Sequence, residues 1–374
     1  MMLQKLTQKI HQTSLSSLLI LSLSSVKLFA AIPVGNGTWA YDDIYNNAGK
    51  KIGHSPGLFA NTINNYNLSA SGNHIISRLY SYGGSLEMYC QGSGGTSPSK
   101  ACNPSNMLVY YDKGKLSTAT YYSVLGKSSK PVAIIPIVDG RLDQKGADDY
   151  LSALNNLDQK TAALYADKVA QLFCSDPQVE GVQFDIEPFD ISKSGQAYFY
   201  QQIAKDFASS MCIDNAHPKG RIFSIFTFAS RINNTVAQIL NKYQNGYVID
   251  SLYDLGPKPG GSVNSPSEYR KYIKTEVKNM LAKAKQYNIK FQFAIPAAAS
   301  AHEFESKNGV STGYAQLDYV KASYEVFKQL QVQSDPNFAG VSLWVWLDQM
   351  WWEGYRLTPS TPNEETKAFL AKNL

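Results

Sequence analysis

The chain has 374 residues, of which 44% are hydrophobic and 17% charged, with a formal net charge of +5. That length suits one large α/β domain or two ordinary ones. The small charge argues against nucleic acid or an anionic membrane surface as partner. Aromatic residues make up 12%, including 24 tyrosines; such side chains often line carbohydrate surfaces and equally fill cores.

Residues 1–30, MMLQKLTQKIHQTSLSSLLILSLSSVKLFA, contain no acid. Lys5 and Lys9 precede an apolar stretch around Leu18–Leu23, and Leu28-Phe29-Ala30 offers a small-residue end. This order predicts a secretory signal peptide cleaved after Ala30, with Ala31 as the alternative. Serine interruptions leave the apolar run too short to span a bilayer, and no later segment reaches that length. The mature chain, 31–374, is therefore expected to be secreted or periplasmic, without a membrane span. Cleavage removes Lys5, Lys9 and Lys27 and no acid, lowering the formal charge from +5 to about +2.

Short apolar runs follow. GTWAYDD (37–43) and HIISRLYSYGG (74–84) are rich in β-branched or aromatic residues and predict strands one and two. Next comes CQGSGGTSPSKACNPS (90–105), then a strand-like NMLVYYDKGKL (106–116). Residues 85–128 thus predict a loop or hairpin insertion after strand two. PVAIIPIV (131–138) is strand three, and an amphipathic pattern predicts a helix over 149–174. VEGVQFDIE (179–187) is strand four, followed by a helical pattern over 194–212. RIFSIFTFAS (221–230) and YVIDSLYD (247–254) are strands five and six. A helix over 265–288 opens with Ser265 and, three residues on, Glu268, a capping box. KFQFAIP (290–296), a helix over 315–332 and AGVSLWVWLD (339–348) complete the series. Nearly continuous apolar strands fit parallel strands buried on both faces. Eight of them alternating with helices predict a single α/β domain, a (β/α)8 TIM barrel.

Four cysteines, Cys90, Cys102, Cys174 and Cys212, favour two disulfides in an exported chain, with three pairings open. Cys90–Cys102 would close a small loop. Cys174 and Cys212 each end a predicted helix, so a Cys174–Cys212 bridge requires only that those helices be neighbours. No CxxC pair exists and the five histidines are scattered, so neither a metal site nor a cofactor is expected.

Strand four ends unlike a core strand. Alternate residues share a face and lie roughly 6.5–7 Å apart, so Gln183, Asp185 and Glu187 line up together. In a (β/α)8 barrel the carboxyl ends of the strands open onto the site, whereas unpaired carboxylates inside the barrel would be costly. Asp185 and Glu187 are therefore candidate chemistry. The competing reading is a strand-end pair bonded to neighbouring backbone or to Arg221.

GVQFDIE resembles the strand-four motif DGxDxDxE of glycoside hydrolase family 18, the chitinases and endo-β-N-acetylglucosaminidases. Glu180 and Gly181 take the DG place, Gln183 the middle Asp, Asp185 the last Asp and Glu187 the final Glu. SLYD (251–254) resembles the strand-six MxYD with Ser251 for Met, AIP (294–296) the strand-seven GxP, and GVSLW (340–344) the strand-eight GxxxW. The resemblance implies hydrolysis of β-1,4 bonds next to N-acetylglucosamine, with the substrate's own acetamido oxygen as nucleophile. It implies Glu187 as the acid, Asp185 as the group that orients the acetamide and stabilises the oxazolinium ion, and Tyr253 as a hydroxyl donor to the acetamido oxygen. Asp254 becomes a sugar-hydroxyl partner and Trp344 the floor under the sugar. Tyr41 and Tyr82, ending strands one and two, are further candidates to face the pocket. By base rate Tyr253 alone would be a core tyrosine, and Trp344, Trp346, Trp351 and Trp352 together a cap on the barrel.

Gln183 departs from the family pattern, because an amide bonds to Asp185 without taking up its proton. The expected partner is an N-acetylglucosamine-containing oligo- or polysaccharide, and the chain is expected to act as a monomer. The second reading of the same barrel is a catalytically silent lectin or inhibitor, supported by Gln183 and opposed by Glu187 and Tyr253.

Overall fold

The structure is a computed structural model that describes residues 32–41, 43–45, 51–85, 87–90, 107–110, 117–141, 154–253, 265–297, 313–347, 350–352, 355–357 and 362–374. Eight parallel strands close into a barrel: β1 (Asn36–Tyr41), β2 (Ile76–Ser85), β3 (Ala133–Arg141), β4 (Gly181–Glu187), β5 (Ile222–Thr227), β6 (Gly246–Ser251), β7 (Phe291–Pro296) and β8 (Phe338–Leu347). Each strand pairs with its neighbours in chain order, and β8 returns to β1. All eight expected strands are present, and the (β/α)8 architecture is as the alternation required.

The double-sided burial of these strands follows from their sequence. In β5, Phe223 and Ile225 join the cluster under the helices while Ile222 and Phe226 fill the barrel. In β6, Val248 faces the helices while Tyr247 and Ile249 face inward. Lower in the barrel, Tyr80 donates to Gln292 Oε1 at 2.7 Å, Ser342 donates to the same oxygen at 2.8 Å, and the Tyr80 and Tyr247 hydroxyls lie 2.9 Å apart. The Arg78 guanidinium sits over the Tyr247 ring at 5.0 Å. This closed network makes the interior a packed plug rather than a pore, so ligand chemistry is left to the rim.

The outer layer comprises α1 (Pro56–Ser69), α2 (Gln159–Cys174), α3 (Ser194–Phe207), α4 (Asn234–Lys242), α5 (Pro266–Tyr287), α6 (Gln316–Gln329) and α7 (Glu364–Asn373). The helix expected over 149–174 is interrupted: residues 154–156 are helical, and after a break at 157–158 a new helix begins at Gln159, where Asp158 caps it, accepting from the Thr161 backbone N–H at 2.9 Å. The helix expected to reach Cys212 ends at Phe207, where the Ser209 N–H and hydroxyl both turn back to the Asp206 carbonyl at 2.9 and 2.7 Å. The capping box at Ser265 and Glu268 forms as read, with both reciprocal bonds present.

Within 85–128, Glu87–Cys90 pairs antiparallel with Met107–Tyr110. A helical turn at Thr118–Tyr121 follows and runs on to Gly126, burying Tyr121 and Leu125 in the core. Cys174 and Cys212 form a disulfide with Cα atoms 4.9 Å apart, joining the end of α2 to the segment after α3. Cys102 lies outside the described residues, and with it the Cys90–Cys102 pairing. No helix among the described residues is long and apolar enough to cross a membrane.

Candidate active site

Strand β4 carries the centre of the site. Gly181 begins it because a Cβ there would lie 2.2 Å from the Ile222 carbonyl oxygen; only glycine lets β4 come this close to β5. From there Val182, Phe184 and Ile186 pack under the helices. The alternate face holds Gln183, fully buried, then Asp185 and Glu187, both half-buried. Burial thus falls away along one face toward the carboxyl end of the strand, where a barrel opens to ligand.

Arg221 does not explain these carboxylates. It precedes β5 at the opposite end of the barrel, and its Nη2 pairs with Asp214 at 2.8 Å while Nη1 donates to the Cys212 carbonyl at 2.9 Å. Asp185 does act electrostatically on α3. The Tyr200 hydroxyl is pushed up well above the ordinary tyrosine range, first by burial and second by the negative charge of Asp185.

Beneath Asp185, Gln183 Oε1 accepts the indole N–H of Trp39 at 3.2 Å. Gln183 Nε2 is buried without a hydrogen-bond partner. Trp39 in turn meets the Trp344 ring edge-on at 5.5 Å, Phe226 edge-on at 6.1 Å and Tyr80 at 4.9 Å.

Tyr253 and Trp344 form the other wall. Their rings stack at 5.2 Å and 17°, and Phe226 stacks on Tyr253 at 6.1 Å and 28°. Ser251, which stands where the resemblance expects Met, has its hydroxyl 3.3 Å from the Tyr253 carbonyl oxygen, so a small polar residue closes the turn at the end of β6. Trp344 is held by its carbonyl, which accepts from Ala297 N–H at 2.7 Å, and its Cα is the register partner of Pro296. Gly340 of the same motif has φ +120°, and a Cβ there would lie 2.2 Å from the Gly35 carbonyl oxygen. Cis peptide bonds follow both Glu187 and Trp344. Trp346 belongs to the outer core instead, with its N–H on Thr62 Oγ1 at 2.9 Å.

Asp185 and Glu187 at the end of β4 and Tyr253 and Trp344 at the ends of β6 and β8 stand at the same, carboxyl end of the barrel, and below them the Gln183–Trp39–Trp344–Tyr253 contacts connect β4 to that aromatic wall. Asp254 lies outside the described residues, as do the side chains of Tyr41 and Tyr82, whose backbones belong to β1 and β2. Sequence reading missed Trp39 and Phe226, which lie on inward positions of β1 and β5 and look like ordinary core aromatics in a single strand. It also missed the ladder that sets Asp139 beside Asp185 and Arg141 beside Glu187 in register. Among the described residues no cluster of His, Cys, Asp or Glu could hold a metal ion. What the rim offers is two half-buried carboxyl groups on one face of β4 and an aromatic wall.

No protein-family model matches the chain, and no curated protein matches its sequence. Solved structures do match in shape. Thermotoga maritima Cel5A, solved in complex with cellobiose, gives a TM-score of 0.50 at 8% identity over 90% of this chain and 97% of that one. The cellulose synthase subunit Z of Clostridioides difficile gives 0.49 at 11% identity over 90% and 99%. A family 18 chitinase from Crocus vernus gives 0.41 at 11% identity over 74% and 86%. Glycoside hydrolases of several families stand among the neighbours, and at these identities the likeness is one of fold alone, a (β/α)8 barrel.

Proposed function

We propose that the protein is an exported glycosidase that hydrolyses β-1,4 bonds next to N-acetylglucosamine, with retention of anomeric configuration. The observation that carries this reading is the single face of β4. It passes from buried Gln183 through half-buried Asp185 to half-buried Glu187, at the rim where Tyr253 and Trp344 stack. The family 18 resemblance in four motifs supplies the order of roles.

The chemistry balances with these residues alone. Glu187 gives its proton to the departing glycosidic oxygen as the acetamido oxygen of the same sugar attacks the anomeric carbon, forming an oxazolinium ion. The Asp185 carboxylate balances the positive charge and holds the acetamide N–H, and the Tyr253 hydroxyl donates to the acetamido oxygen. Glu187, now a carboxylate, takes a proton from water as that water opens the ring, which restores the enzyme and the original configuration. Trp344 offers an indole face to the C–H face of the sugar. Soluble chitooligosaccharides or N-glycan cores supply the acetamide, and export through the leader of residues 1–30 would place the enzyme among such glycans.

One observation favours a second reading, the silent lectin: Gln183 stands where a titrating Asp is expected. Incubation of the mature protein with fluorogenic chitooligosaccharides and with an N-glycoprotein, beside a Glu187→Gln control, decides between them. Glu187-dependent release supports the enzyme. Binding without release supports the lectin.

A further inference from the structure

Glu276 joins two strand ends on which the aromatic wall depends. It lies half-buried on α5, whose Ile273, Val277 and Met280 face the core. Its Oε1 accepts the backbone N–H of Ala229 at 2.8 Å, in the turn that follows β5. The same carboxyl lies against Asp250 on β6. Val248 and Leu252 belong to the cluster under the helices, so Asp250 between them points at α5 and not into the barrel. Asp250 is 0% exposed, and neither of its oxygens makes a full hydrogen bond to an N–H or a hydroxyl. Two carboxyl oxygens can meet only across a proton, and a bare charge at this depth would be costly. The Asp250 carboxyl is pushed well above the ordinary carboxylate range, first by burial, then by the charge of Glu276 and hydrogen bonding with it, while the nearby Ala229 amide pulls the other way. Asp250 is thus the acid of the pair and donates to Glu276.

We infer that Glu276 is a positioning residue: bonded to Ala229 after β5 and to protonated Asp250 on β6, it fixes the two strand ends so that Phe226 holds the Tyr253 ring in place. The chain distances are short. Asp250 stands in register with Thr227, the residue after Phe226, and lies three residues before Tyr253. Ala229 lies three residues after Phe226, and the two rings stack at 6.1 Å. The link acts from the helix side of the barrel and touches no substrate. Its catalytic consequence, the aim of the Tyr253 hydroxyl, rests on the proposed reading of the site. An amide in place of either acid preserves the link. Glu276→Gln keeps an oxygen for Ala229 and offers its NH2 to Asp250, and Asp250→Asn replaces the shared proton by an N–H. Glu276→Leu and Asp250→Val break it.

These four variants test the inference with two readouts. One is the near-ultraviolet circular dichroism of the aromatic wall, taken as the band that Tyr253→Leu removes. The other is steady-state kinetics on a fluorogenic chitooligosaccharide. The apolar variants should weaken the band and lower kcat roughly tenfold with KM within about twofold. The amide variants should keep the band and stay within about twofold of the natural kcat. Amide variants as impaired as the apolar ones, or apolar variants with the natural band and kcat, overturn the inference. If no glycan is cleaved, a band lost in the apolar variants and kept in the amide variants upholds the role of Glu276 and removes the glycosidase reading. Cleavage with the same band in all four does the reverse. Should one apolar variant not fold, the other and its amide counterpart decide by the same criteria. Should neither fold, amide variants that keep the band uphold the link, and a weakened band overturns it.

Discussion

Tyr253 and Trp344 stack with ring centroids 5.2 Å apart and planes 17° from parallel, although they leave the barrel on β6 and β8 with β7 between them. The register of Pro296 with Trp344 explains how the gap is bridged. A proline ending β7 and an alanine after it are too small to separate the two rings. The aromatic wall is thus a product of three strand ends, and its parts separate into packing and chemistry.

Tyr253→Phe removes the hydroxyl and keeps the ring. Stacking with Trp344 and Phe226 should survive, so thermal stability stays near that of the natural protein. Turnover should fall by roughly 10- to 100-fold with KM little changed, as expected for a donor used in the transition state. A variant with full kcat would leave Tyr253 a packing residue only.

Gln183→Asp introduces a titrating acid under Asp185. The acid limb of the kcat/KM profile should gain a second ionisation, because two carboxyls in one buried site cannot both ionise freely. Superimposable pH–rate curves for the two proteins would contradict the assigned position of Gln183.

Asp206 sets a pH dependence far from the site. Burial first, then hydrogen bonding with and the charge of Asp167, raise its carboxyl from the ordinary 3.8 to about 8. Gln202 Nε2 donates to both carboxyls, at 2.9 and 2.8 Å. Below about pH 4 the group is protonated both folded and unfolded. Between about 4 and 8 the folded chain keeps a proton that the unfolded chain releases, so stability falls as pH rises through that window and levels off above it. Asp250, buried against Glu276, acts in the same direction. Melting temperatures at pH 5 and 8.5 should show a smaller decline for Asp206→Asn than for the natural protein; equal declines would refute the raised Asp206 carboxyl.

The Cys174–Cys212 bridge closes a separation of 38 residues. On a chain-entropy account such a loop is worth about 4 kcal/mol, with measured values more often about 2–4. Replacing both cysteines by alanine should lower the denaturation free energy by that amount in urea titration. A change within about 0.5 kcal/mol would mean that the Arg221 contacts to Cys212 and Asp214 hold the segment unaided.

Much of this was legible in the sequence because strands buried on both faces leave continuous apolar runs that turns interrupt cleanly. The eight strands and the capped α5 could be read directly. Helix α1 could not: PGLFANTINNYNLS holds four asparagines, which favour caps and turns over helix interiors. Only its packing of Phe59, Ile63 and Tyr66 into the core makes it a helix. At the site, Glu187 and Asp185 could be found because carboxylates at an apolar strand's tip need a reason. Trp39 could not, because its meaning is a hydrogen bond to a residue 144 positions away, and a tryptophan in an apolar run carries no local sign of that partner.

The central claim is that the N-acetyl group itself takes part in bond cleavage at Glu187. The direct test compares chitooligosaccharides with cello-oligosaccharides of equal length, which share the β-1,4 linkage and lack the acetamide, using the mature protein and Glu187→Gln. Cleavage of the acetamido chain alone, with retained configuration and a loss of at least about a thousandfold in Glu187→Gln, is the predicted result. Comparable cleavage of the cello-oligosaccharide, or undiminished turnover by Glu187→Gln, would contradict it.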